Sequence, residues 1–330
     1  MAYQQLTYGD RISIGVLKQQ GNSPTKIAHL IGKDRSSIYR EFSRNSTKVG
    51  YFPEIANTLA QDRKSEAAAI SRIDEDEKKW IIEKLRLQWS PEQISNRMKL
   101  ELGVSISHEW IYQMVYEDRK NGGDLYLHLR WGRKTRKKRG GGRDKRGQIP
   151  NRVSIDQRPQ IINDRGRLGD LEGDTIIGSN QGGNLLTLVD RKSRFTLIEK
   201  LENKTAEITS NAIIHICNSN EFTYKSITFD NGTEFTDHEK ITNETGFPIY
   251  FAHPYCSNER GTNENTNGLI RQYFPKKTDF SKVSQNDVKK VQHLINHRPR
   301  RVLNFKSAYE IHSGETLQYF FSNSVTVESL

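Results

Sequence analysis

Between Arg133 and Gly147 the chain reads RKTRKKRGGGRDKRG, nine Lys or Arg, one Asp, and otherwise only Gly and Thr. Fifteen residues without an apolar side chain cannot bury a core, so this stretch is expected to be a flexible linker, a hinge within the 330-residue chain. The same run could lie along a polyanion. Residues 1–150 carry 29 Lys and Arg against 18 Asp and Glu, whereas residues 151–330 carry 22 of each. The net charge of +11 thus belongs entirely to the first half. Nucleic acid is the first partner to expect of such an asymmetry, and an anionic membrane is weaker because no single helix gathers the charge. No apolar run reaches the ~18–20 residues that a bilayer span needs. The start, MAYQQLTYGD, does not have the layout of a secretory signal. Two cysteines, Cys217 and Cys256, exclude a disulfide framework and a multi-cysteine zinc site. A reduced, cytoplasmic setting is the expectation.

Ahead of the hinge the pattern is helical. Residues 9–20 place Ile12, Val16 and Leu17 on one stripe. Gly21-Asn22-Ser23-Pro24 ends that helix and starts a short one, Thr25–Ile31, with Pro24 at its first position. Gly32 closes it, and Asp34 can cap a third helix, Arg35–Arg44, whose Ile38 and Phe42 point inward. Helix, Gly-containing turn and basic helix are the layout of a helix-turn-helix, and small Ala28 suits its helix contact. The exposed face would carry Arg35, Ser36, Ser37, Tyr39, Arg40 and Arg44, Arg for base edges and Ser and Tyr for phosphates. A plain three-helix bundle with a solvated charged face is the blander alternative. Residues 74–118 repeat the grammar, with Trp80, Ile81, Lys84 and Leu85, a Ser90-Pro91 start, Gly103, and a last helix capped by Ser107. That helix also bears Glu109, Glu117 and Asp118, so a spacer or dimer surface is as natural a role as DNA contact.

Beyond residue 150 strand-length apolar runs appear at Thr175–Ile177, Leu185–Val189, Phe195–Leu201, Ile227–Phe229 and Ile249–Ala252. Helices are expected over Thr205–Cys217, Thr262–Tyr273 and Asn286–Asn296. Three strands, then helix, strand, helix, strand, predict a mixed α/β domain with antiparallel strands. Three acids stand out: Asp174 at a strand start, Asp230 where a strand ends in Asn-Gly, and Glu264 early in a helix. Carboxylates without a Cys/His cluster suit Mg²⁺ or Mn²⁺, and two such ions can drive phosphodiester displacement. Each acid alone has an ordinary explanation, a turn for Asp230 and helix-dipole pairing for Glu264. Asp190 and Glu234 are further candidates or supporting groups. His253, Tyr255 and Cys256 read as loop packing, and GGGRDKRG lacks the strand and the Lys-Ser/Thr of a phosphate loop, so ATP is not expected.

LEGDTIIG, TFDNGTEF and NERGTNENTNGLIRQYFPK resemble the three acidic motifs of insertion-sequence-30-type transposases, an Asp-Asp-Glu family. Thirty-three residues separate Asp230 from Glu264, the spacing of that family. Arg260 and Arg271, four before and seven after Glu264, match its basic pattern and would share the glutamate's helical face. TKIAHLIGKDRSSIYREFSRN and NHRPRRVLNFKSAYE match as well, so the likeness covers about residues 5–315. Leu171 and Asn258 stand where the family usually has Trp.

The resemblance implies an N-terminal helix-turn-helix domain (1–60), a second helical domain (61–130), a basic linker (131–150), a ribonuclease H-like α/β catalytic domain (151–315) and a tail (316–330). It implies a transposase that binds terminal inverted repeats, cuts there, and joins the freed 3′-hydroxyl to target DNA. Asp174, Asp230 and Glu264 would hold two Mg²⁺ or Mn²⁺ ions, with Arg260 and Arg271 on phosphates. The partners would be double-stranded DNA and further copies of the chain assembled on DNA ends, in the bacterial cytoplasm at the nucleoid, without membrane or ATP. A helix-turn-helix repressor with a degenerate nuclease domain and a phage or retroelement recombinase are the competing readings. The acid set speaks against the first, and the lack of an N-terminal His/Cys zinc module against the second.

Overall fold

The computed structural model describes residues 5–47, 49–70, 73–130, 149–179, 182–219, 222–254 and 256–319, and the side chains of all these except 65–70, 257 and 258. The basic run 133–147, Tyr255 and the side chain of Asn258 lie outside the described residues. Two compact units emerge, Met1–Lys78 and Lys79–Leu330. The expectation had placed a separate helical domain over 61–130. Instead, the helices after Lys78 belong to the same unit as the sheet.

The first unit contains α1 (Tyr8–Gln19), α2 (Pro24–Leu30), α3 (Arg35–Asn45) and α4 (Pro53–Ile70). Thr7, Ser23 and Asp34 each cap a helix by accepting from a backbone N–H, and Pro24 sits in the first turn of α2. Ile14, Ile27, Ala28, Ile38, Tyr51 and Ala56 form the core. The predicted stripe on α1 is only partly right: Leu17 packs against the core, but Ile12 and Val16 are exposed, and Arg11, Ile14 and Gly15 face inward. Two causes are visible. Arg11 is buried in an ion pair with Glu41 at 2.9 Å, and Tyr51 donates to the same carboxylate at 3.1 Å. At Gly15, an added Cβ would lie 2.5 Å from the Pro53 ring, so the start of α4 needs hydrogen there.

The second unit opens with α5 (Glu75–Arg86), whose first residues belong to the preceding unit, and continues with α6 (Pro91–Leu102) and α7 (His108–Lys120). After the short α8 (Gln160–Asn163) come β1 (Asp170–Ile177), β2 (Asn184–Asp190), β3 (Thr196–Leu201), α9 (Ala206–Ser219), β4 (Ser226–Phe229), α10 (His238–Thr245), β5 (Ile249–Phe251), α11 (Gly261–Tyr273), α12 (Gln285–His297) and α13 (Ala308–Ser313). The sheet order is β3-β2-β1-β4-β5, antiparallel through the first three strands and parallel through β1, β4 and β5. This is the ribonuclease H-like arrangement, with β1 central. One face packs Leu186, Leu188, Ile227 and Phe229 against Ile213 and Ile216 of α9. The other packs Ile176, Leu185 and Ile198 against Ile270 of α11 and Val288, Val291 and Ile295 of α12. Side chains alternate along β1, so Glu172, Asp174 and Ile176 share the face toward α11.

The helices after Lys78 are fastened to this body by buried polar contacts. Arg97 on α6 donates to both oxygens of Glu310 on α13, at 2.8 and 2.9 Å. Trp80 donates to the carbonyl of Tyr319 at 3.0 Å, so the first residues of the expected tail are packed structure. Among the described residues no helix is long and apolar enough to cross a membrane.

Candidate active site and DNA-reading helix

Asp174 lies in the middle of β1, opposite Thr187 of β2, rather than at the strand's start. Its neighbour Gly173 cannot carry a side chain, because a Cβ would fall 2.2 Å from the Phe229 ring on β4. That close approach brings the end of β4 against Asp174. Asp230 directly follows β4 and closes its own turn, its Oδ1 accepting from Gly232 N at 3.0 Å. Its Oδ2 accepts from Arg260 at 3.0 Å. The same guanidinium lies 3.6 Å from Asp174 Oδ1 and donates to the carbonyl of Gly173 at 3.3 Å. One arginine therefore occupies the point where both aspartates converge. It does so from a 3₁₀ turn, Ser257–Arg260, that precedes α11, so it does not share a helical face with Glu264 as the spacing had suggested.

Asp174 is further held by Asn267 of α11, which donates at 2.9 Å to Oδ2, and by Thr175 N at 2.9 Å. Burial raises the affinity of the Asp174 carboxyl for its proton; Arg260 opposes this, and Asp230 and Glu234 add to it. Glu234 lines the same cleft of about 440 Å³, accepting from Thr175 Oγ1 at 2.9 Å and paired with Lys204 at 2.7 Å. Glu264 stands one helical turn before Asn267, exposed and without a hydrogen bond or ion pair among the described residues. The structure brings Asp174, Asp230 and Glu234 to one cleft. It sets Glu264 on the adjoining helix and does not gather it with them. Among the described residues no group of three or more His, Cys, Asp or Glu has metal-holding geometry.

Arg271 donates to the carbonyls of Ile177 at 2.8 Å and Pro275 at 3.3 Å, tying α11 to the end of β1 and making no pair with Glu264. Asp190 is fully buried and accepts from Gly169 N, Lys192 N and both the N–H and hydroxyl of Ser193, a structural cap away from the cleft of Asp174 and Asp230. His253 bridges Glu259 at 2.8 Å and Asp156 at 3.0 Å, which raises its proton affinity. Leu171 is core. Sequence reasoning missed Asn267 and Lys204, since neither type at those positions signals chemistry. Asn267 could have been found only from the helical period running back to Glu264.

In the first unit α3 presents Arg35, Ser36, Tyr39, Arg40 and Arg44 exposed on one side, with Ser37 half-buried beside them. Arg40 folds back onto the Ser36 carbonyl at 3.1 Å, and Arg35 lies 5.2 Å from the Tyr39 ring centre.

A family model described as a helix-turn-helix domain matches residues 2–45. The chain is 40% identical to the transposase for insertion sequence element IS4351 of Bacteroides fragilis, over 93% of this chain and 95% of that protein. It is 34% identical to the transposase for IS1086 of Cupriavidus metallidurans, over 94% of each. Transposase InsI for IS30A of Escherichia coli is 35% identical over 94% of this chain and 84% of its own length. Among solved structures, the catalytic core domain of BIV integrase aligns with TM-score 0.36 and 16% identity, covering 44% of this chain and 94% of that one. With relatives of this identity matched nearly end to end, the chain belongs to the insertion-sequence transposases of the IS30 type.

Proposed function

We propose that the protein binds the terminal inverted repeats of its element through α3 and carries out metal-dependent strand cleavage and strand transfer in the second unit. The observation that supports this best is the seating of Arg260 between Asp174 and Asp230: two carboxylates on adjacent strands converge on one cationic group. Hard oxygen donors of this kind fit Mg²⁺ or Mn²⁺. Asp174 and Asp230 would hold the ions, with Glu264 as the third ligand supplied from α11. When bound, two such ions activate the attacking oxygen and stabilise the leaving one.

The chain's own residues do the positioning. Asn267 and Thr175 N fix the Asp174 carboxylate, and the Asx turn fixes Asp230. Arg260, once displaced from the acids, is placed to hold a phosphate, and Arg271 keeps α11 registered on β1. Water attacks the phosphorus at the element's end and releases a 3′-hydroxyl. That hydroxyl then attacks a target phosphodiester, one P–O bond forming as another breaks, so no nucleotide cofactor is needed. Two ends must meet for this, which calls for more than one copy of the chain on DNA, in the compartment of the bacterial chromosome. Arg35, Ser36, Ser37, Tyr39, Arg40 and Arg44 are the DNA-reading set.

The test uses labelled end DNA with Asp174→Asn, Asp230→Asn and Glu264→Gln. Each should abolish cleavage and joining in Mg²⁺ while end binding stays near wild type. Normal joining by any one of them removes that residue from the ligand set.

A further inference from the structure

A second polar cleft lies at the start of α11, on the second unit, with lining residues on either side of Glu264 in sequence. Its volume is about 240 Å³, and Arg165, Arg194, Arg300, Thr262 and Asn265 line it. No carboxylate lines it. Arg194 donates to Thr262 Oγ1, and Arg165 reaches the same hydroxyl at 3.4 Å. Arg300 is 7% exposed; its Nη2 donates to the carbonyl of Ile295 at 3.1 Å, and its buried Nε donates to nothing among the described residues. Of the acids close by in sequence, Glu264 lies between Thr262 and Asn265 without an ion pair among the described residues, Glu172 pairs with Arg191 and accepts from Asn263 N at 3.3 Å, and Asp190 closes the Ser193 turn.

Three guanidinium groups with no ion pair of their own among the described residues are costly to hold together, although Glu172 and Asp190 offset part of the cost at Arg194. Burial, then neighbouring Arg165, pulls the Arg194 guanidinium down to about 10, and burial, then Arg298, pulls Arg300 down to about 9. Both still carry charge at neutral pH. Arg165 and Arg194 also hold left-handed backbone, with φ of 55° and 66°, a region that L side chains other than Asn and Asp rarely adopt. The N-cap residue of α11, Arg260, makes no side-chain cap, and the buried carboxylate of Glu172 already accepts from Asn263 N in the helix's first turn. A buried arginine with a free donor and two flanking arginines in one cleft suit an anion.

We infer that Arg165, Arg194 and Arg300 bind one backbone phosphate of the DNA strand that enters the acid cleft, a few nucleotides from the bond to be cut. The proposal rests on the transposase reading for the identity of the anion. It is a positioning site: Thr262 stands two residues after Arg260, so a phosphate gripped here sets the register of the strand on the acids.

The experiment uses the full chain with Arg165→Gln and Arg194→Gln combined, leaving deeply buried Arg300 in place, and checks folding by thermal unfolding. End duplexes carrying a single neutral methylphosphonate are scanned through the nucleotides around the cleavage site. Wild type should lose about tenfold in affinity at one position, the size expected of a charge-assisted contact, and the double variant should lose almost nothing there. The salt slope of the double variant should also be shallower by about one. If no position discriminates the two proteins while wild type binds and cuts ends, the site is overturned and the transposase reading stands. Sodium phosphate at constant ionic strength is the second probe: protection of wild type against heat by free phosphate, without any discriminating DNA position, assigns the cleft to a small anion and overturns the DNA proposal. Failure of wild type to bind end DNA at all overturns the transposase reading, and the identity of this anion with it.

Discussion

Arg260 shows how much one side chain can carry. It joins two aspartates that would otherwise repel across the cleft, and under the proposed function it would compete with a divalent ion for them. Arg260→Ala should therefore bind Mn²⁺ more tightly, by about tenfold or ~1.4 kcal/mol, and show a larger Mg²⁺-induced rise in melting temperature than wild type. Unchanged Mn²⁺ affinity by calorimetry would mean that the arginine does not compete for the site. At His293 the sign runs the other way from an ion pair. Burial, then the charge of His297, lowers it from its usual 6.5 to about 4, so the folded protein keeps it neutral where the unfolded chain would protonate it. The unfolded state then binds more protons between these values, and stability falls as pH drops from about 6.5 toward 4. Urea melts across that range should show the decline, and His293→Gln should flatten it.

At the scale of elements, the sequence was most informative where burial is two-sided. The strands β2 and β4 are buried on both faces, and their apolar residues, Leu185–Val189 and Ile227 with Phe229, marked their positions in the sequence. Helix α1 was located by its pattern, but the pattern mistook part of the inward face. A buried Arg11 and a Gly15 shaped to Pro53 do not register as apolar. Helix α4 has no expectation to match it, since among its described side chains only Ala56 is fully buried and its apolar periodicity is weak. Asp174 and Asp230 were legible as acids at apolar strands. That Arg260 would bridge them depends on a 3₁₀ turn for which nothing in the spacing argues. The link between α6 and α13 was equally invisible, because it rests on a buried Arg97–Glu310 pair 213 residues apart in sequence. Removing one member leaves the other charged and dry. Arg97→Ala should cost about 3–5 kcal/mol of unfolding free energy by chemical denaturation, and Arg97→Met combined with Glu310→Leu should cost less.

At the scale of the molecule, charge and specificity are divided. Of the +11, the segment 133–147 contributes +8, while the helix-turn-helix unit is nearly balanced. Affinity for any DNA and discrimination among DNAs should then be separable. A fragment of residues 1–78 should prefer end DNA over random DNA with a shallow salt slope. The full chain should bind both more tightly, its slope steepened by about 0.9 for each phosphate the basic run neutralises. Gel-shift titrations at four salt concentrations would show it, and equal slopes would place the electrostatic contacts elsewhere.

The fastening of Trp80 by Tyr319 and of Arg97 by Glu310 also sets an order of completion during synthesis. The unit Met1–Lys78 can be complete well before Glu310 and Tyr319, which tie down the second unit, leave the ribosome. On the function proposed above, a chain truncated before Ala308 should bind end DNA without cleaving it. Mixed with the full chain in a cleavage assay, it should lower the yield as a competitor for the ends.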